Sequence, residues 1–196
     1  MVKMHDIKYI IGTPNSVVVD SSKFEDLCRT GCRVYNQKWS CPPHSGGFLI
    51  NQWIPFHVVI LWIPNTIEAK NEYTKVKAIN SILKSRLYRL LAQYPNKKVL
   101  GSGSCRLCQH CAYPEPCKHP DKMIYSMESF GIDVSLVCKA LGHTLNWYEK
   151  GKPYEYGSVV GLIGDNNKDK IESRLRKILF DEKVTESKQM ANTVML

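Results

Sequence analysis

The sequence predicts an α/β fold, a mixed sheet with flanking helices and cysteine-rich loops. Three observations carry that expectation. Residues 56–63, FHVVILWI, form an unbroken apolar run between Pro55 and Pro64. Such a run is too short to cross a membrane and has the pattern of a strand covered on both faces. Further on, Val76, Ile79, Leu83, Leu87, Leu90 and Tyr94 recur every three or four residues, with lysine and arginine on the other faces. A single stripe of that kind marks a helix lying on a core. Finally, seven of the eight cysteines fall in two stretches punctuated by glycine and proline, as loops are.

The elements follow in order. Residues 8–12 and 17–20 are short β-branched runs around Thr13-Pro14-Asn15, which predicts a strand pair entered as a hairpin. Ser22-Lys23-Phe24-Glu25 has the capping-box pattern and starts a short helix carrying Cys28, with Gly31 as its stop. After the 56–63 strand, the helix spans 66–94 and ends at Pro95. Residues 98–101 form a strand that feeds a glycine-containing loop. Strand, helix and strand make a βαβ unit with a right-handed crossover. The loop then leaves the carboxyl end of a strand, where α/β sheets place their sites. Beyond it, 121–130 is expected to be helical with Gly131 as its stop, and Asp133 caps a helix over 134–141 that Gly142 closes. Residues 144–148 and 156–163 read as a hairpin turning at 151–153. Asn166 or Asn167 caps a last helix with Ile171, Leu175, Ile178 and Leu179 on one face.

The chain has 196 residues, 43% apolar and 23% charged. That composition is globular, and the length suits a single metal-binding α/β domain over 1–181 with a mobile C-terminal tail over 182–196. No apolar run approaches the ~20 residues of a membrane span, and the N-terminus lacks the apolar core of a signal peptide. The expectation is therefore a cytoplasmic protein without membrane insertion, whose thiols stay reduced and serve as ligands or catalytic groups. The net charge is +9. It admits nucleic acid, a small anionic substrate or an acidic redox partner. The basic residues are spread along the predicted helices, as on a solvated face, and not gathered into one block.

The chemistry sits in the cysteines. Cys105, Cys108, Cys111 and Cys117 have the spacing C-x2-C-x2-C-x5-C. Three cysteines at this spacing cannot all pair into disulfides with each other, but they can wrap a metal centre. Zinc is usually gripped by two separated pairs. A close triplet with a fourth cysteine beyond suits a cubane better, because each thiolate can take a different iron. Gly101 and Gly103 let the backbone enter this loop tightly, and Pro114, Pro116 and Pro120 stiffen its exit. The upstream block holds Cys28, Cys32 and Cys41 at C-x3-C-x8-C, with Pro42-Pro43 directly after Cys41. Cys28 and Cys32 lie one helical turn apart, so both sulfurs can face one way. These three are expected to form a second metal site, separate from the loop site, with three buried neutral thiols as the alternative. Tyr35 and Trp39 between them are read first as packing and second as shields for a cluster. Cys138 reads as a buried small apolar residue.

The stretch GSCRLCQHCAYPEPCKHPDKMIYSMESFGIDV, 103–134, resembles the signature of a prokaryotic family of predicted metal-binding proteins of unknown function. CRTGCRVYNQKWSCPP, 28–43, resembles that family's other cysteine block. The resemblance covers most of 24–164. It implies a metal, above all an iron–sulfur cluster, and names no reaction.

Two functions of different class remain. In the first, four protein thiolates fill every iron of one [4Fe-4S] cluster in the loop, and the protein carries electrons or serves a redox partner protein as an accessory subunit. In the second, the three cysteines of the upstream block hold a further cluster with one iron open, and the protein is an enzyme of reductive or sulfur-handling chemistry. His44 or Cys138 would then be candidates for the fourth position. His110 and His119 flank the loop cysteines and are candidates for proton transfer. Zinc is the alternative metal. A zinc protein that binds nucleic acid is the weakest reading, since the spacing is wrong for a finger or ribbon.

Overall fold

The computed structural model describes residues 6–45, 55–66, 68–95 and 98–180, so the tail predicted at 182–196 lies outside the described residues. In chain order the elements are β1 (Lys8–Gly12), α1 (Ser21–Gly31), β2 (His57–Pro64), α2 (Glu72–Leu91), β3 (Val99–Gly101), β4 (Tyr125–Ser126), α3 (Val134–Ala140), β5 (Tyr156–Ile163) and α4 (Lys168–Phe180). Short 3-10 turns occupy Pro120–Lys122 and Glu128–Phe130.

The strands form one mixed sheet in the order β1-β2-β5-β3-β4. β1 pairs with β2, β2 with β5, and β5 with β3, all antiparallel, while β3 and β4 are parallel. β2 and β3, both antiparallel to β5, therefore run the same way on either side of it. The strand–helix–strand unit predicted through 56–101 is present, with β5 inserted between its strands.

Side chains alternate across the sheet as strand geometry requires. Val59, Leu61, Ile63, Val159 and Ile163 meet Ile79, Leu83 and Leu87 of α2 and Ile171, Leu175 and Leu179 of α4. Val58, Ile60, Val160 and Leu162 meet Met127, Ile132, Val137 and Cys138 beneath α3. This double coverage explains why the 56–63 run has no polar alternation. Gly157 admits α2: a Cβ there would strike the side chain of Ile79. Asn71, Asp133 and Asn167 cap α2, α3 and α4 through backbone N–H groups three residues on.

Three sequence expectations are corrected. Residues 17–20 are not a strand paired with β1. They contribute one bridge, Val19 to Ile132, and Asp20 rather than Ser22 caps α1. The 8–12 run pairs with β2 instead, because that buries Ile11 in the core. Residues 121–130 are not a helix. Two 3-10 turns flank β4, which pairs with β3 through Leu100–Tyr125 and Gly101–Ser126. Nor is there a hairpin at 144–163. Residues 144–148 have no strand partner, and β5 finds its two neighbours elsewhere in the sheet.

Candidate metal centre

All eight cysteines are free thiols. Two segments carry seven of them, and hydrogen bonds join the two. The first begins where α1 ends. Cys28 lies in the last turn of α1, and Cys32 caps it, its amide donating to the Cys28 carbonyl at 3.0 Å. The chain then turns back on itself. Asn36 N–H donates to Pro42 O at 3.0 Å, and Cys41 N–H to Lys38 O at 3.0 Å. This fold-back brings Cys41 to the cavity walled by Cys28 and Cys32. Cys41 is buried, Cys28 partly so, and Cys32 is exposed.

The second loop leaves the carboxyl end of β3, as the sequence predicts. Its four cysteines, Cys105, Cys108, Cys111 and Cys117, are all partly buried and line one small cavity of ≈ 20 Å³ together with Lys38 and His119. Among the described residues, no three histidine, cysteine, aspartate or glutamate side chains stand close enough to hold a single metal ion. The donor set nonetheless fits a metal in kind: four free thiols around one cavity, with ammonium groups of Lys38 and Lys118 at its wall to offset thiolate charge.

The two loops interlock. Ser40 Oγ accepts from Cys105 N–H at 3.0 Å, and Lys38 Nζ donates to Cys105 O at 3.0 Å, so the main chain of Cys105 is clamped at both ends. Trp39 Nε1 donates to Glu115 O at 2.7 Å. The Trp39, His44 and Tyr113 rings pack in a trio with centroids 4.6–5.2 Å apart, and Asn36 Oδ1 accepts from Tyr113 and contacts His44 Nε2. Trp39 thus joins the blocks. Cys41 lies at the seam, where both Cys32 and Cys111 help to push its thiol up.

Cys28, Cys32 and Cys41 together line a larger cavity of ≈ 740 Å³. Burial pushes the Cys28 thiol up, and Cys32 and Cys41 add to this. Burial does the same for Cys41, against a hydrogen bond from Ser40. Neither candidate for a fourth ligand reaches this cavity. His44 is engaged with Asn36 and the aromatic trio, and Cys138 is sealed in the core, where burial pushes its thiol up to about 12. Of the two loop histidines, His119 lines the small cavity and His110 is exposed outside it.

Sequence reasoning missed the charged side chains of the larger cavity, Glu128, Asp133 and Lys23. Asp133 Oδ2 pairs with Lys23 Nζ at 3.2 Å while its Oδ1 caps α3. Burial raises the Glu128 carboxyl, opposed by a backbone N–H, the Ser126 hydroxyl and the Lys84 cation. Reading 121–130 as a helix hid Glu128 as one acidic residue on an exposed turn. Its true signal is the small-residue frame Ser126-Met127-Glu128-Ser129 just after a strand. Trp147, 62% exposed, closes the cavity rim.

Residues 13–163 match the family model described as "Predicted metal-binding protein (DUF2284)". The chain belongs to this family. Its matched span includes both cysteine loops and every strand but the first, so the family is defined around the sheet and the loops together. No curated protein and no solved structure matches the chain. No helix among the described residues is long and apolar enough to cross a membrane.

Proposed function

We propose that the chain is an iron–sulfur protein whose Cys105, Cys108, Cys111 and Cys117 hold one [4Fe-4S] cluster, and that it transfers electrons within the cytoplasm to or from a redox partner protein. The observation that carries this reading is that four free thiols in a close-triplet spacing line one cavity. A cluster bound by four thiolates has no open iron, which suits electron transfer. Its potential would be tuned by burial and by hydrogen bonds to sulfur.

One observation favours a second reading, an enzyme. Cys28, Cys32 and Cys41 wall a cavity large enough for a small molecule. Three thiolates on a second cluster would leave one iron facing that space. Asp133 is paired with Lys23 in this cavity, and burial favours the neutral form of Glu128. The cavity therefore suits a small neutral substrate.

Replacing Cys41 by serine separates the readings. Loss of about half the iron with the loop cluster's spectrum retained supports the second site. Unchanged iron leaves the loop cluster alone and returns the protein to electron transfer. Loss of all iron would show that Cys41 serves the loop centre and would refute the four-cysteine assignment.

A further inference from the structure

A third cavity, ≈ 370 Å³, lies between α2 and the base of the cysteine loop. Lys84 and Tyr88, four residues apart, stack along one edge of α2 and face it. Tyr88 Oη donates to Ser102 O at 3.3 Å. Gly103 leaves room for the lysine, since a Cβ there would come to 3.0 Å from Lys84 Nζ. Arg106 and Lys122 close the cavity from the loop side, and Ser81 adds a hydroxyl.

Three cations therefore converge on one space, and no acidic side chain among the described residues lines it. Lys84 forms no ion pair within 4 Å among the described residues. Burial and the nearby Arg106 guanidinium hold its amine below the ordinary lysine range, and Glu128 offsets this only in part. Lys84 is partly buried while Arg106 and Lys122 are exposed at the mouth, and holding the Lys84 charge beside two further cations is unfavourable unless an anion joins them. The loop thiols do not answer this need, because they meet around a different cavity with Lys38 and Lys118, and Cys105 alone lines both. The remaining wall is formed by Ser85 and by the apolar side chains of Leu107 and Ile124. The volume falls within the range of small-molecule sites.

We propose that this cavity binds a small organic oxyanion, a phosphate or carboxylate on an apolar body. The anionic group sits among Lys84, Arg106 and Lys122, and the body lies against Leu107 and Ile124. The inference does not depend on which metal the loop holds.

Titration calorimetry on the full chain, purified anaerobically with its metal, tests it. Phenyl phosphate and benzoate separate the two oxyanions, and phenol is the neutral control. The expected result is saturable one-site binding of at least one of the anions and none of phenol. Lys84→Met and Arg106→Gln each weaken binding by about tenfold or more, the scale of one lost hydrogen bond to a charged group. Metal content stays unchanged in both. Lys77→Gln, which removes a lysine packed over Tyr73 away from the cavity, leaves binding as it was. Should Lys84→Met fold poorly, Lys122→Gln, at an exposed position, takes its place. Absence of binding by both anions overturns the proposal, as does undiminished binding in the variants. Loss of metal in the variants without loss of binding also overturns it, since the cations would then serve the thiolates. Anion binding by a chain that carries zinc and no sulfide upholds this inference while refuting the iron–sulfur reading.

Discussion

Gly131 joins the sheet to the helix that presents Cys28, and replacing it by alanine tests that join. Its φ is +78°, and an added Cβ would lie 2.7 Å from Ser21 Cα and 2.8 Å from Ser21 N, the first residue of α1. Gly142 is the natural comparison, with φ +76° and nothing within 4 Å of its added Cβ. The left-handed conformation costs a non-glycine residue about 1–2 kcal/mol. Alanine recovers about 0.4–1 kcal/mol by restricting the unfolded chain. Gly142→Ala should therefore destabilise by about 1 kcal/mol. Gly131→Ala bears the same strain and must also push α1 away. That movement breaks the 2.7 Å bond from Asp20 N–H to Gly131 O, worth about 1 kcal/mol, and overpacking adds about 1–3 kcal/mol. A total near 3–4 kcal/mol is expected. Urea unfolding of the two variants side by side measures the difference. Equal destabilisation would refute the claim that α1 is pinned on the 128–131 turn. Gly131→Ala should also speed alkylation of Cys28 while leaving Cys108 unaffected.

Other substitutions probe other links. Leu87→Ala removes a fully buried side chain of α2 packed beside Gly161 and should cost about 2–5 kcal/mol in urea unfolding; a loss under 1 kcal/mol would show that α2 is not seated on the sheet. Ser40→Ala orphans the Cys105 amide, at about 1–3 kcal/mol, and should raise the alkylation rate of Cys105 in peptide mapping; an unchanged rate contradicts the clamp. Cys138 gives the pH dependence. Its thiol has a folded value of about 12 against an ordinary 9.0, so the fold favours the neutral form. That contribution is complete below pH 9 and is lost as pH rises toward 12. Within that window Cys138→Ala should flatten the fall of stability by up to about 1.4 kcal/mol per pH unit. Identical slopes would show that Cys138 ionises as readily folded as unfolded.

The parts of the fold legible in the sequence are those where one period dominates. The α2 stripe and the 56–63 run announce themselves because each is buried along its whole length. The Asp133 and Asn167 caps were legible because a cap is a local hydrogen bond, whereas Asp20 and Asn71, which cap α1 and α2, were not read as caps. What escaped was decided at long range. β4 is two residues long, and its pairing with β3 exists only because the cysteine loop returns the chain there. Likewise β5 abandons its sequence neighbour at 144–148 for β2 and β3, which cover both its edges. At the site, spacing identified all seven loop cysteines as candidates, since ligand spacing is itself local. The mutual packing of the blocks through Ser40, Lys38 and Trp39 was not legible, because those bonds span 65 residues or more. Lys84 was hidden for another reason. As one basic residue on a basic helix it looks solvated, and its place beside Gly103, 19 residues on, is set by the fold and not by local pattern.

A cluster in the 105–117 loop is the centre of the proposed chemistry. Its most direct test is the iron, acid-labile sulfide and zinc content of the anaerobically purified full chain, compared with that of Cys108→Ser. The expected result is at least about four iron and four sulfide per chain, little zinc, and a loss of about four of each in the variant. One zinc per chain with no sulfide, or iron and sulfide unchanged by Cys108→Ser, would contradict it.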